Sequence, residues 1–167
     1  MSEAIVFLPL SQGKTAVIDF EDFEKVRGFK YHYSTRGYAA RNFPVQAPGR
    51  RQTRSYLHHD IFGKVEAGLE IDHWDRNKLN NRRANLRAVT HIQNMANQGT
   101  RRNSKSGFSG VSWSSRAGKW LARVKLNGQS AHVGYFNNAE EAARAYDSKA
   151  KELFGEFARL NFPEIKN

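Results

Sequence analysis

The chain has 167 residues, no cysteine and a formal net charge of +11, a size that fits one ordinary domain or two small ones. The absence of cysteine excludes a disulfide framework and thiolate zinc sites, and no stretch approaches the roughly 20 apolar residues of a membrane span. The first apolar run is too short for a signal peptide and lacks a basic lead-in, so we expect an intracellular, cytoplasmic protein.

Acidic residues are unevenly distributed along the chain. From Arg76 to Ala139 there is no Asp or Glu, whereas Lys and Arg together occur twelve times. A long stretch without acid is typical of a protein that binds a polyanion through its phosphates. The alternative is a merely soluble basic protein. Aromatic residues lie among the basic ones, and the stretch has the regular spacing of strands and helices. This pattern favours nucleic acid as the partner.

The first 54 residues have the pattern of strands and turns. Short apolar runs predict two strands, at Ile5–Leu8 and Ala16–Ile18, then a short helix over Glu21–Val26 and a further strand near Gly37–Arg41. The segment Pro44–Arg54 is polar and basic and contains two prolines, so we predict a surface loop there.

The sequence pattern of the next part, residues 55–97, predicts two helices with a strand between them. Helical spacing of apolar residues predicts a helix over Tyr56–Phe62 that ends at Gly63. Leu69–His73 has the pattern of a strand, and the polar segment that follows, residues 76–85, predicts an ordered loop. Thr90 can then cap a second helix.

Three residues of this part suggest a chemistry. Asp72 and His73 are adjacent at the end of the predicted strand, and Asn94 follows on the predicted helix. Because Mg²⁺ takes oxygen ligands and only one or two protein groups, Asp72 and Asn94 are candidate ligands. A neutral imidazole such as His73 can deprotonate water. Asn85 lies in the predicted loop between the strand and the helix. There its side chain can form hydrogen bonds with backbone groups and hold these two elements together. The pattern predicts hydrolysis of a phosphodiester.

The wider motif identifies a family. Asp-His-x-Asp-x-Asn from Asp72, Asn-Asn-Arg-Arg-x-Asn-Leu-Arg ending at Arg87, and Gln93-Asn94 resemble the HNH endonucleases of the phage and intron homing type. The resemblance runs at least from Leu57 to Asn97. It implies a ββα-metal fold, two strands and one helix around one divalent cation. That cation would be Mg²⁺, with Mn²⁺ as the alternative and no zinc expected. It also implies that Asp72 and Asn94 are the ligands and His73 the general base.

Other polar residues near the motif have open assignments. His58 either supports the site or lies on the surface at a helix end, and the resemblance favours it over His59. His91 precedes Asn94 by one helical turn and is a candidate supporting residue. A guanidinium near the scissile phosphate would stabilise developing charge. We expect four arginines to be divided between loop-holding and phosphate contact: Arg76, Arg82, Arg83 and Arg87.

The last part of the chain follows a polar basic segment, residues 98–106, whose composition predicts a flexible linker. Its cations Arg101, Arg102 and Lys105 are expected to follow a groove or a phosphate backbone. Beyond it, alternation predicts three strands, at about Gly110–Ser114, Lys119–Leu126 and Gln129–Phe136, with Asn127-Gly128 as a hairpin turn between the last two. A helix capped by Asn138 and Glu141 and ending at Gly155 completes the pattern.

This last part, Gly107 to Pro163, resembles the Apetala-type (ethylene-response-factor) DNA-binding domain. The resemblance is carried by Phe108-Ser-Gly-Val111, Gly118-Lys-Trp120, Val133-Gly-Tyr-Phe136, Ala139 to Asp147 and Leu160-Asn-Phe-Pro163. That family places the exposed face of a three-stranded sheet in the major groove. Trp120, Ala122, Val124 and Leu126 would face the helix, with Leu121, Arg123 and Lys125 outward. The candidate DNA contacts are Ser112, Ser114, Arg116, Arg123, Lys125 and His132. Several replace arginines or tryptophans of the plant domains, so the target sequence does not transfer.

These inferences combine into an α+β protein. We predict a nuclease domain over residues 1–97, made of a strand-rich part (1–54) and a ββα-metal core (55–97). A basic linker (98–106) and a DNA-binding domain (107–163), a three-stranded antiparallel sheet packed on one helix, follow. The expected function is sequence-targeted, homing-type nicking or cutting of double-stranded DNA by a monomer or weak dimer, phage-encoded or bacterial, without a membrane partner.

Two alternatives are open. The first is a DNA-binding regulator whose nuclease centre is inactive, against which the intact Asp72, His73 and Asn94 argue. The second is an RNA-binding or structural basic protein without chemistry. Against it stands the expectation that the aromatic residues form sheet and helix core rather than an exposed stacking platform.

Overall fold

The computed structural model describes residues 4–47, 50–97, 105–126 and 128–163. The predicted linker residues Arg101 and Arg102 and the turn residue Asn127 lie outside these ranges. The chain divides into two compact units, Met1–Val89 and Thr90–Asn167. This division differs from the domain limits predicted above, which stay a prediction, and each unit is described by itself.

The first unit begins with a β-hairpin. Both predicted strands are present, as β1 (Ile5–Pro9) and β2 (Thr15–Asp19), and they pair in antiparallel register. A 3-10 turn over Phe20–Asp22 leads into the short helix α1 (Phe23–Val26). Alternate residues of β2 point into the core of the unit, where Ala16 and Ile18 are fully buried.

The predicted surface loop over Pro44–Arg54 is wrong. Strands β3 (His32–Tyr33), β4 (Ala39–Ala47) and β5 (Arg50–Tyr56) form a three-stranded antiparallel sheet in that order. The pairing of the two long strands is made by backbone groups, which the polar composition of the side chains does not reveal. The register shifts between Pro44 and Ala47, and such a bulge tolerates a residue without an N–H group.

Helix α2 (Leu57–Phe62) follows β5 and ends at Gly63, whose φ of 86° allows the chain to turn. Leu57 and Ile61 bury its inner face in the core. Asp60 anchors α2 to the sheet. Its carboxylate accepts hydrogen bonds from the Tyr31 hydroxyl (2.6 Å) and the Arg41 guanidinium (2.7 and 3.0 Å). Because one turn of this helix is fixed in this way, the orientation of its other residues is fixed as well.

Two more strands and a helix follow in the order strand, strand, helix. β6 (Leu69–His73) and β7 (Leu86–Thr90) form a two-stranded sheet, and α3 (His91–Asn97) begins directly after β7. Thr90 caps α3 as predicted. Its Oγ1 accepts from the Gln93 N–H at 3.3 Å, and Gln93 Oε1 accepts from the Thr90 N–H at 2.8 Å. Helix α3 belongs to the second unit.

The rest of the second unit is a three-stranded antiparallel sheet packed on one helix, as predicted. Strands β8 (Val111–Ser114), β9 (Lys119–Leu126) and β10 (Gln129–Phe136) lie in the order β10-β9-β8. Helix α4 (Ala139–Phe154) is capped by Asn138, whose Oδ1 accepts from the Glu141 N–H at 2.8 Å, and it ends at Gly155. The core between sheet and helix contains Val111, Ala122, Ala142 and Ala143.

Both units mix strands and helices, so the fold class is α+β, as the sequence predicted. In the part of the chain that the structure describes, no helix combines the length and apolar character needed to cross a bilayer.

Candidate active site

Asp72 and His73 occupy the end of β6 and are both buried, with 7% and 4% of their surface exposed. Arg87, on the neighbouring strand β7, donates to Asp72 Oδ2 through Nε at 3.0 Å and through Nη2 at 2.9 Å. The same guanidinium lies 4.6 Å from the ring centre of Trp74. This cross-strand ion pair fixes the conformation of the Asp72 carboxylate.

His73 is enclosed by aromatic rings and one amide. The ring centres of His58 and Tyr38 lie 5.1 and 5.9 Å from its own, and its Nε2 lies 3.3 Å from the side-chain oxygen of Asn81. Burial lowers the pKa of His73, because removal from water disfavours the charged imidazolium, although the contact with Asn81 opposes this effect. The enclosure therefore favours the neutral imidazole, the form that can accept a proton.

His58 lies on α2 against His73 and is 5% exposed. The sequence left its placement open, and the structure places it inside rather than on the surface. Burial, aided by the neighbouring His73 and His59, lowers the pKa of His58 to about 3. Its Nδ1 has no hydrogen-bond partner among the residues that the structure describes. His58 is thus a neutral packing partner for His73 at ordinary pH.

Replacing His58 with phenylalanine is expected to flatten the acid side of the stability profile. Its pKa is about 3 when folded and 6.5 in its ordinary state, so below pH 6.5 the unfolded chain binds a proton that the folded protein does not. From this group alone, the free energy of unfolding should fall by about 1.4 kcal/mol between pH 7.5 and pH 5.5. Urea unfolding at both values checks this. An equal pH-dependence in the variant and the unchanged protein would contradict it.

The loop between β6 and β7 is closed by Asn85, which is 7% exposed. Its amide nitrogen donates to Asp75 Oδ1 at 2.8 Å and to the Asn80 carbonyl at 2.7 Å, and its Oδ1 accepts from the Asp75 N–H at 3.0 Å. Next to Asp75, Arg76 adopts a positive φ of 64°. These bonds hold the loop in one conformation; that Asn85 thereby supports catalysis stays a prediction.

The arginines of the loop are mostly engaged by carboxylates of the same unit. Arg82 donates to Asp19 at 2.7 Å, and Arg83 donates to the fully buried Asp22 at 2.7 and 2.8 Å. Arg87 lies on β7 and donates to Asp72 on β6. The division of the four arginines between loop-holding and phosphate contact stays a prediction. Arg76 is exposed and makes no ion pair with any residue that the structure describes, and its contact with a phosphate stays a prediction.

The remaining predicted residues of the centre lie on α3. Asn94 is half-buried and His91 is exposed one helical turn before it. Because α3 belongs to the second compact unit, the sharing of one cation by Asp72 and Asn94 stays a prediction, as does the supporting role of His91.

In the second unit, the strand register places one set of side chains on the sheet face opposite α4. Paired residues of antiparallel strands share a face, and the pairs are Ser112 with Leu121, Ser114 with Lys119, Arg123 with His132, Lys125 with Ser130 and Leu121 with Tyr135. The alternation of β9 is as predicted: Ala122 and Val124 are buried, while Arg123 and Lys125 are exposed. Five of the candidate DNA contacts, Ser112, Ser114, Arg123, Lys125 and His132, therefore lie on one face.

The other candidate contacts of this region lie outside the strands. Arg116 is exposed in the turn between β8 and β9, and Lys105 is exposed ahead of β8. The predicted contacts Arg101 and Arg102 fall outside the described residues.

The expectation that the aromatic residues are core holds for Trp120 and Phe136, which pack against the core of the second unit, but is wrong for Tyr135 and Trp113. Tyr135 is 48% exposed and its ring lies 4.9 Å from that of His132, on the face with Arg123. Trp113 is 50% exposed and packs edge-on against Trp120. Simple alternation from His132 would put Tyr135 on the helix side. The bulge between His132 and Gly134 shifts the register by one residue and turns Tyr135 outward.

Two family models match the chain. Residues 59–96 match the HNH endonuclease model, and residues 106–156 match the AP2 domain, which confirms both resemblances. The Arabidopsis thaliana dehydration-responsive element-binding protein 2C is 46% identical over 54 residues. This match covers 31% of the chain and 16% of the plant protein.

Viral proteins match more of the chain. Protein 3.8 of Escherichia phage T7 is 34% identical over 98 residues, which are 59% of this chain and 80% of that protein. Among solved structures, "DNA binding and cleavage by the HNH homing endonuclease I-HmuI" aligns with 83% of this chain and 80% of that one, at 19% identity and a TM-score of 0.35. The uncharacterized HNH endonuclease L560 of Acanthamoeba polyphaga mimivirus is 32% identical over 165 residues, 96% of this chain and 83% of that protein. The chain therefore belongs to the HNH endonuclease family and carries an AP2 domain in its C-terminal part.

Proposed function

We propose that this protein is a homing-type DNA endonuclease. His73 acts as the general base, Asp72 and Asn94 hold one divalent cation, Mg²⁺ or Mn²⁺, and the exposed sheet face of the second unit selects the site. The observation that carries the proposal is the buried pair Asp72 and His73 at the end of β6, with a carboxylate fixed by Arg87 and an imidazole kept neutral.

The donor atoms fit a hard cation. Asp72 and Asn94 offer a carboxylate and an amide oxygen, and Mg²⁺ prefers oxygen. Among the residues that the structure describes, no group of three or more His, Cys, Asp or Glu side chains gathers as a metal cage. A site of two protein ligands leaves the remaining positions to water and substrate phosphate, as is common for Mg²⁺. When bound, the cation would neutralise charge on the phosphate and stabilise the leaving 3′ oxygen.

The proposed role of His73 is to take a proton from water. The resulting hydroxide attacks phosphorus, the bond from phosphorus to the 3′ oxygen breaks, and that oxygen takes a proton from solvent. A base must be unprotonated before the reaction, and burial, which lowers the pKa of His73, favours the unprotonated imidazole.

The sheet face of the AP2 domain would supply the sequence preference. Arg123 can read guanine edges, and Lys125 and Lys119 can contact phosphates on either side. Tyr135 and Leu121 add apolar surface to the centre of the face. A catalytic centre that contacts mainly phosphates cannot distinguish one DNA sequence from another. A linked domain that binds the DNA groove would raise the effective concentration of the catalytic centre at the chosen site.

The second candidate function is a DNA-binding regulator with an inactive nuclease centre. The ion pairs of Arg82, Arg83 and Arg87 with carboxylates leave few loop cations for phosphate and are compatible with such a role. Both candidates bind DNA, so cleavage separates them.

Cleavage of a supercoiled plasmid by the purified full-length protein tests the proposal. We expect relaxed circles to accumulate with Mg²⁺ or Mn²⁺ and cleavage to be lost when EDTA is added, because the phosphate charge is then no longer neutralised. Plasmid incubated with the cations alone is the control. Retarded migration of intact DNA with either cation would contradict the nuclease proposal and favour the regulator.

A further inference from the structure

We propose that Asn81 is a positioning residue that sets the tautomer of His73. Its side-chain oxygen would keep the proton on Nε2 and leave the lone pair on Nδ1. The inference deepens the proposed function and rests on it for its purpose, since a general base needs an unprotonated ring nitrogen in a defined place.

The contact between the two side chains supports this assignment. Asn81 Oδ1 lies 3.3 Å from His73 Nε2, and the residues are 1% and 4% exposed. A neutral imidazole carries one proton, and a carbonyl oxygen only accepts hydrogen bonds. The nitrogen that faces Asn81 is therefore the protonated one, and the hydrogen bond of one ring nitrogen decides the state of the other.

The backbone of Asn81 is held independently of its side chain. Its N–H donates to the Val17 carbonyl at 2.7 Å, and the Val17 N–H donates to the Leu79 carbonyl at 2.8 Å. The segment 79–81 thus runs beside β2 in parallel pairing. The neighbours of Val17 on β2, Ala16 and Ile18, are fully buried in the core. The N-terminal hairpin, to which the sequence assigns no role, therefore fixes the position of the amide that faces His73.

Folding alone does not explain this asparagine. Asn81 Nδ2 is buried and has no hydrogen-bond partner in the described part of the chain. A buried donor without a hydrogen-bond partner lowers the stability of the folded protein. The nitrogen of the Asn81 side chain therefore destabilises the folded protein, whereas its oxygen faces the His73 ring that the proposed reaction uses.

Nitrogen NMR of the full-length protein, labelled with ¹⁵N-histidine and measured at pH 8, tests the inference. The two neutral tautomers have distinct ¹⁵N shifts, and His73→Gln identifies the signals of His73 among the six histidines. We expect the Nε2–H tautomer in the unchanged protein. The Nδ1–H tautomer would overturn the inference without any further variant, since it would mean that the Asn81 amide nitrogen faces the ring.

Variants give the second readout. Asn81→Ala should yield a mixture of tautomers and lower kcat for plasmid nicking roughly 10- to 100-fold, with little change in KM. Asn81→Asp keeps an acceptor in the same place and should keep the Nε2–H tautomer. The matched control is Asn80→Ala, which removes a neighbouring amide that bonds Asp75 instead and should leave the His73 tautomer unchanged.

The two readouts separate the inference from the proposed function. If the unchanged protein cleaves DNA and Asn81→Ala alters neither tautomer nor kcat, the inference fails and the nuclease stands. If the tautomer changes as expected but no form cleaves DNA, the proposed function fails and the assignment of Asn81 stands.

Discussion

Replacing His73 with alanine is expected to lower the rate of plasmid nicking by about 10²- to 10⁴-fold, the usual contribution of a general base. Without the imidazole, water must be deprotonated by solvent, which is a poor base at neutral pH. DNA retardation should stay within about threefold, because the sheet face of the second unit is untouched. Timed nicking of supercoiled plasmid and gel retardation of the same DNA measure the two quantities.

Two comparisons make this result specific. His32→Ala removes a histidine of β3 that has no place in the proposed centre and should nick at the rate of the unchanged protein. His73→Asn keeps a polar side chain in the buried space and guards against loss of folding, which circular dichroism would detect. Nicking by a folded His73→Ala protein at nearly the original rate would exclude His73 as the base.

Replacing Gly110 with alanine is expected to unfold the AP2 domain, at a cost of more than about 3 kcal/mol. Gly110 has a φ of 71°, and a β-carbon built there would overlap the ring of Tyr146 and lie 2.7 Å from the carbonyl oxygen of Arg123. The ring is held between sheet and helix, and the carbonyl is backbone, so neither can move aside cheaply. Thermal unfolding should show that the transition of this domain is lost, and gel retardation of plasmid DNA should weaken with it.

The matched control is Gly118→Ala. Gly118 also has a positive φ, of 59°, but a β-carbon there meets nothing within 4 Å. Gly118→Ala should therefore lower the free energy of unfolding only through backbone strain, by roughly 1–2 kcal/mol. Equal destabilisation by both substitutions would show that the Tyr146 ring does not pack against Gly110.

Local signals predicted most of the second unit. Asn138 and Glu141 predicted the start of α4, and the alternation of β9 predicted which residues face the helix; both depend on neighbours in sequence. The face of Tyr135 was missed because a one-residue bulge reverses the alternation that precedes it. A bulge of this kind depends on pairing with β9, which no short window of sequence contains.

The first unit shows where local reasoning ends. The β4–β5 hairpin was missed because polar strands are stabilised by backbone pairing rather than by burial of one face. The motif predicted Asp72 and His73, but not their partners. Arg87 reaches Asp72 across two strands, and Asn81 faces His73 only because β2 holds the loop. Those contacts depend on elements that are far apart in sequence, so they could not be predicted without the three-dimensional structure.

The most direct test of the proposed chemistry is a crystal structure of the protein grown with Mn²⁺ and recorded for anomalous scattering. We expect one strong peak at roughly 2.1 Å from a carboxylate oxygen of Asp72 and from the side-chain oxygen of Asn94, with the His73 ring beside it. A peak bound elsewhere, or Asp72 and Asn94 side chains too far apart to share one ion, would contradict it.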